Sequence, residues 1–208
     1  MIYRILLALT ILLFIVWTGI QARKDKNYLK LMTDFLSKQF LIIFQPVNRD
    51  ESKSALTGLP RIKAALLGLT GWLFALMALS SFIPVLIAGS PISGWMLILH
   101  VTVAPFFVIS LSLTALLFAV NKLFKPEDRN VVITLKLGRE APVLLPFLSR
   151  LSFWMFLVVA IPAVLSVILS MYPLFTAEGL ETLVTVHRYA TLILFIIVGV
   201  YVGNKIKK

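Results

Sequence analysis

The chain has 208 residues, of which 60% are hydrophobic and 14% are charged, and its formal net charge is +11 at pH 7. A soluble domain is ordinarily about half apolar and about a quarter charged, so this composition indicates an integral membrane protein. Cysteine is absent, which excludes disulfides, thiolate-bound iron–sulfur clusters and haem attached through cysteine. Any metal cofactor must therefore use nitrogen or oxygen ligands.

Five apolar stretches each come close to the ~20 residues that cross a hydrocarbon core of ~30 Å. They cover residues 1–20, 64–88, 92–120, 151–172 and 183–204. The first stretch also has features of a cleaved signal peptide, but a chain that keeps Met1 favours an uncleaved anchor. The sequence therefore predicts five transmembrane helices.

Basic residues are concentrated in connections that would share one side of the membrane. Residues 21–63, 121–150 and those after 204 hold all Lys and Arg residues except Arg4 and Arg188. The positive-inside rule then places the N-terminus outside and the C-terminus in the cytoplasm. The positive charge is thus explained by topology, and no nucleic-acid partner is expected, because a basic stripe on a soluble face is not present.

Residues 28–44 place Lys30, Asp34 and Lys38 at four-residue spacing among apolar residues, which predicts an amphipathic helix in the cytoplasmic interface. The polar residues that follow contain Pro and Gly and predict a linker. No internal repeat stands out. The predicted fold class is an all-α membrane protein with an N-terminal transmembrane anchor over residues 1–20, an amphipathic helix and linker in the cytoplasm over 21–60, and a four-helix transmembrane bundle over 61–208.

The only two histidines, His100 and His187, both fall inside predicted spans. Ionisable side chains at membrane depth are costly and usually face the bundle interior or a cavity. Both lie on bundle helices that start outside, the second and the fourth, at estimated depths of ~13 Å and ~9 Å. Two neutral imidazoles on facing helices can hold one b-type haem, whereas zinc would need further ligands. Alternatively, both histidines serve packing and bond to helix carbonyls or to each other through water.

Arg188 directly follows His187, near the predicted outer end of the last span. Its guanidinium can either snorkel to the interface or pair with a haem propionate. Ser93, which precedes the His100 helix, adds a hydrogen-bonding group on the same side. The predicted cofactor-binding residues are therefore His100, His187, Arg188 and Ser93, with the two histidines as metal ligands.

The segments Leu-Ile-Leu-His100-Val-Thr-Val and Val-His187-Arg188-Tyr189-Ala190 resemble those of the four-helix cytochrome b subunits of formate dehydrogenases and nickel–iron hydrogenases. The resemblance covers about residues 60–208. It implies that His100 and His187 hold a haem near the outer face. Two-haem members of that family use two further histidines, one of them at the place where this chain has Tyr201. The resemblance therefore implies one haem here.

Residues 117–126 and the five-helix arrangement also resemble the gamma subunit of respiratory nitrate reductase, which is the second template. That subunit ligates its haems from the helix that corresponds to residues 64–88, and this chain has no histidine there. The departure leaves the cytochrome b subunits as the first template.

These observations predict a cytochrome b-type electron-transfer and anchor subunit of a respiratory complex in a prokaryotic cytoplasmic membrane, without catalytic activity of its own. One haem b is the expected cofactor and a quinone is a second candidate ligand. The expected partners are lipid, quinone and other subunits, in particular an extracytoplasmic cytochrome or iron–sulfur protein. The alternative function is a haem-free structural anchor of a multiprotein complex. A histidine proton relay is less favoured, because the spans lack Asp and Glu in their interiors.

Overall fold

The computed structural model describes residues 2–44, 55–128 and 144–206, and these ranges contain helices and no strand. The long helices in these ranges are α1 (Ile2–Lys24), α2 (Tyr28–Phe44), α3 (Ala55–Ile87), α4 (Gly94–Phe118), α5 (Leu144–Ser170) and α6 (Ala177–Ile206). All except α2 include a segment long and apolar enough to cross a membrane. The predicted fold class is confirmed: the chain is an all-α, multi-pass membrane protein in which four spans follow an N-terminal span and an amphipathic helix.

A short polar turn ends α1 and starts α2. Arg23 and Lys24 occupy the last turn of α1, where positive charge interacts favourably with the carbonyl end of a helix. The Asp25 carboxylate accepts a hydrogen bond from the Asn27 N–H at 2.9 Å, and the Asp25 carbonyl accepts one from the Tyr28 N–H at 3.0 Å. The amphipathic helix therefore begins at Tyr28, as the sequence predicts.

The helices α1 to α4 belong to one compact unit, Met1–Phe118. Within it, α3 and α4 pack along each other as a hairpin, and both α1 and α2 contact α3. Arg4 fastens α1 to the end of α3, because its Nη2 donates a hydrogen bond to the Leu86 carbonyl at 2.8 Å. Gly89 follows with a φ of 67°, and a Cβ there would lie 2.6 Å from Arg4 Nη1. A larger residue at position 89 would therefore strain the backbone and displace the arginine.

The second compact unit is Ala119–Lys208, in which α5 and α6 form a hairpin. The segment that precedes α5 is fastened to it by a buried ion pair. The Asp128 carboxylate accepts hydrogen bonds from the Arg150 guanidinium and, at 2.7 Å, from the Lys125 N–H. The Asp128 and Arg150 side chains are only 4% and 11% exposed. The hydrogen bond from Arg150 is the main reason why the pKa of Asp128 lies below its ordinary value.

Lys122 adds further contacts at the same end of the second unit. Its carbonyl accepts a hydrogen bond from Trp154 Nε1 at 2.8 Å, and its ammonium group donates one to Ser149 Oγ at 2.7 Å. The ammonium group also lies 5.9 Å from the centre of the Tyr201 ring, within the range of a cation–π interaction. Lys122 therefore links the segment before α5 to both helices of the hairpin.

The compact units do not follow the predicted domain boundaries. The sequence analysis separates residues 1–60 from a bundle over 61–208, whereas the units divide after Phe118. Moreover, α3 begins at Ala55, so the last six residues of the predicted linker are helical, and residues 45–54 lie outside the described ranges. The anchor, the amphipathic helix and the first histidine hairpin thus share one unit.

Candidate functional site

One face of α4 packs against α3 and carries His100. Buried residues recur on this face at three- and four-residue spacing: Val103, Phe107, Ser110 and Thr114. The Phe107 ring lies 5.9 Å from the Phe74 ring of α3, and Thr114 Oγ1 lies 2.8 Å from Thr70 Oγ1. His100 is three residues before Val103 and so belongs to the same face. Its imidazole is therefore directed at α3.

The His100 ring is held by two groups of α3. Its Nδ1 lies 3.1 Å from the Met77 carbonyl oxygen and 3.1 Å from Ser80 Oγ, while Ser80 Oγ donates a hydrogen bond to that carbonyl at 3.0 Å. A carbonyl oxygen only accepts hydrogen bonds, so Nδ1 must carry the proton that it donates. In the neutral ring this tautomer leaves the lone pair on Nε2.

His187 is held in the same way by α5. Its Nδ1 donates a hydrogen bond to the Ala163 carbonyl at 2.8 Å, and Ser166 Oγ donates to the same oxygen at 3.0 Å. Small buried residues form this face of α5: Ser152, Ala160, Ala163 and Ser166. Small side chains allow close approach of two membrane helices. The His187 ring thereby reaches a backbone carbonyl, and its lone pair is also on Nε2.

The two hairpins repeat one arrangement. In each, a carbonyl of the first helix accepts from a histidine of the second and from a serine hydroxyl three residues further along the first helix. The third and seventh residues after each histidine are buried in both hairpins: Val103 and Phe107, and Ala190 and Leu194. The expectation that the chain has no internal repeat is therefore wrong at the level of structure.

The sequence analysis missed both serines and both carbonyls. A signal was present, since a Leu-Ser pair ends 20 residues before His100, at Ser80, and 21 residues before His187, at Ser166. The residues around these pairs differ in type, and serine is common in membrane helices, so the spacing alone does not distinguish the pair from chance. The repeat becomes recognisable once the hydrogen bonds are known.

The position of each histidine along its helix differs from the sequence estimate. The α4 helix begins at Gly94, so His100 lies six residues inside it, and α6 begins at Ala177, so His187 lies ten residues inside. These counts correspond to about 9 Å and about 15 Å of helix, against sequence estimates of ~13 Å and ~9 Å. Both histidines remain within the first three turns, but their order along the helices is reversed.

Arg188 and Ser93 complete the predicted set. Arg188 is half-buried in α6, and its carbonyl accepts a hydrogen bond from Thr191 Oγ1 at 3.0 Å. Ser93 is exposed and directly precedes Gly94, the first residue of α4. The proposed contacts of these two side chains with a haem stay predictions.

Five spans and two hairpins that each present a histidine define a multi-pass, α-helical membrane protein. No family model matches the chain, and no curated protein or solved structure matches it at a significant level. Among the described residues no group of three or more His, Cys, Asp and Glu side chains that could hold a metal ion occurs. The histidine hairpins are the features from which a function is inferred below.

Proposed function

We propose that the chain is a membrane-embedded electron-transfer and anchor subunit that binds one haem b through His100 and His187. The observation that carries this proposal is the same hydrogen bond in both hairpins, from imidazole Nδ1 to a backbone carbonyl. Histidines that ligate metals almost always donate their other ring N–H to a carboxylate, a carbonyl or water. Such a bond selects the tautomer, holds the ring plane and raises the basicity of the ligating nitrogen.

The donor set of the chain fits this cofactor. Iron in a b-type haem takes axial nitrogen ligands, and the chain offers two imidazoles whose tautomers place the lone pair on Nε2. When bound, the haem would supply the one-electron chemistry, and the protein would supply binding, orientation and electrostatics. Arg188 would neutralise a propionate through its guanidinium group. Ser93 would donate a hydrogen bond on the same side.

The distribution of charge supports an orientation for the subunit. The Arg- and Lys-rich connections would face the cytoplasm of a prokaryotic cell, with the N-terminus outside. Both histidines lie near the helix ends that would face outward. The redox partner would therefore be an extracytoplasmic cytochrome or iron–sulfur protein, with quinone as the membrane-soluble partner and the subunit as its anchor.

A haem-free structural anchor is the rival function, and one observation favours it. Each histidine already links two helices through a hydrogen bond, and such bonds contribute about 0.6 kcal/mol each to helix association in membranes. Packing alone would thus give the two histidines a role. The two functions differ in whether Nε2 binds iron.

The test is a reduced-minus-oxidised visible spectrum of the purified chain or its complex, with haem stoichiometry from the pyridine haemochrome. We expect one b-type haem per chain. His100→Ala and His187→Ala should each abolish it, because a bis-histidine site has no second ligand to replace the one removed.

Matched controls change the residue beside each histidine. Val101 and Val186 are 46% and 40% exposed, so Val101→Ala and Val186→Ala should retain the full haem content. A folded wild-type chain without haem would reject the proposal and favour the structural anchor. Retention of haem in either histidine variant would reject that histidine as a ligand.

A further inference from the structure

The two hairpins differ in what the serine hydroxyl contacts. Ser80 Oγ lies 3.1 Å from His100 Nδ1 as well as 3.0 Å from the Met77 carbonyl. The hydrogen bond of Ser166 Oγ goes to the Ala163 carbonyl, at 3.0 Å, and the structure describes none between Ser166 and His187. Both serines are 3% exposed. The same residue type, with the same burial and the same backbone partner, therefore touches only one of the two imidazoles.

This difference changes how strongly each ring is committed to its tautomer. At His100 the Nδ1–H group faces two acceptors, the Met77 carbonyl and the Ser80 oxygen, while the Ser80 O–H donates onward to the carbonyl. Hydrogen bonds in such a chain strengthen one another in a medium of low dielectric. At His187 the carbonyl is the single acceptor given, and the Ser166 hydroxyl competes with Nδ1 for its lone pairs.

We propose that Ser80 is a positioning residue for His100, fixing its Nδ1–H tautomer and ring orientation, and that Ser166 has no such role for His187. The consequence for iron rests on the proposed function, whereas the consequence for the tautomer does not. An imidazole whose N–H is better accepted is a stronger electron donor through its other nitrogen. Ser80 would thus favour oxidised iron through His100.

The first measurement compares Ser80→Ala with Ser166→Ala in the haem-loaded chain. Loss of an outer hydrogen-bond partner typically weakens metal binding 10–100-fold. We expect Ser80→Ala to weaken haem retention about tenfold and to raise the midpoint potential. Ser166→Ala should retain haem as the wild type does, and its potential should not rise, because the Ala163 carbonyl becomes more available to His187. Ser80→Thr, which keeps a hydroxyl, should restore the wild-type potential.

The second measurement does not depend on haem. The chain has only two histidines, so ¹⁵N labelling of histidine gives four ring signals that report the tautomers directly. In the full-length chain without haem, both rings should carry the proton on Nδ1. Ser80→Ala should introduce the Nε2–H tautomer at His100 and leave His187 unchanged, and Ser166→Ala should change neither ring.

The outcomes separate the two proposals. A wild type without haem whose His100 tautomer still depends on Ser80 would reject the proposed function and keep Ser80 as the residue that positions the ring. A haem that needs both histidines, with Ser80→Ala and Ser166→Ala indistinguishable in potential and in tautomer, would overturn the role of Ser80 alone. A uniform loss of folding in Ser80→Ala is recognised by Ser80→Thr, which must then keep both the tautomer and the potential for the role to stand.

Discussion

The α3–α4 and α5–α6 hairpins present a histidine by the same arrangement of carbonyl and serine, but they are held together differently at their other ends. In the first hairpin, Thr70 and Thr114 share a buried hydrogen bond of 2.8 Å. In the second, Arg150 and Asp128 form a buried ion pair. The histidine ends are thus alike, and the opposite ends differ in the kind of interaction and in its expected strength.

The difference shows which features the repeated arrangement requires. Imidazole and carbonyl recur because the ring needs an acceptor to be held within a membrane helix pair. The rest of each interface is built from different side chains, with large rings at Phe74 and Phe107 in the first hairpin and small residues along α5 in the second. Helix association depends on packing, which both solutions provide.

The largest expected effect comes from breaking the ion pair of the second unit. Arg150→Ala would leave the buried Asp128 carboxylate without its charged partner, and removal of one member of a buried pair typically costs about 3 kcal/mol or more. The measurement is the free energy of unfolding in detergent. Lys63→Ala is the control in the first unit, where the ammonium lies 5.9 Å from the centre of the Phe118 ring and should contribute only about 0.5 kcal/mol. Equal losses in the two variants would contradict the proposed difference between the hairpin ends.

The same ion pair predicts a dependence of stability on pH. The pKa of Asp128 is lowered from its ordinary value of 3.8, mainly by the hydrogen bond from Arg150. The contribution of this carboxylate is therefore complete above pH 3.8 and is lost as the pH falls through the lower pKa of the folded state. Asp128→Asn should remove this part of the acid-induced loss, and an unchanged acid profile in that variant would exclude Asp128 as its source.

A smaller effect is expected at the seventh residue after each histidine. Phe107 and Leu194 are buried in their hairpins, at 5% and 2% exposed. Phe107→Ala and Leu194→Ala should each cost about 2 kcal/mol in unfolding free energy, because the cavity term remains even where water is not the solvent. Phe106→Ala and Ile193→Ala, at neighbouring exposed positions, are the controls and should change stability little. A large loss in only one hairpin would show that the repeat does not extend to packing.

The smallest effect is expected for the threonine pair of the first hairpin. Thr70→Val and Thr114→Val keep the side-chain volume and remove the 2.8 Å hydrogen bond between the hydroxyl oxygens. Hydrogen bonds between membrane helices average about 0.6 kcal/mol, so a double-mutant cycle should give a coupling of about that size. Ser112→Ala is the control, because that exposed hydroxyl donates to the Val108 carbonyl of its own helix. A coupling of zero would mean that this bond does not hold the hairpin.

Much of the fold could be predicted because the membrane constrains it strongly. Length and hydropathy are sufficient to recognise a span, and the turn chemistry at Asp25 gives the start of α2. Helix ends were less well predicted: α3 starts at Ala55 and α6 at Ala177, both in polar sequence that hydropathy does not identify as helix. The two histidines were recognised as candidates because ionisable residues are rare at membrane depth.

The sequence by itself determined the fold class, the number of spans, and that two imidazoles had to be accommodated inside apolar helices. Only the tertiary structure decided which atoms accommodate them: the carbonyls of Met77 and Ala163, with Ser80 on one ring and Ser166 beside the other. Every residue has a carbonyl group, so a sequence cannot distinguish one from another. Which carbonyl lies opposite a given imidazole depends on the register of two packed helices, and that register is set by side-chain contacts along the whole hairpin.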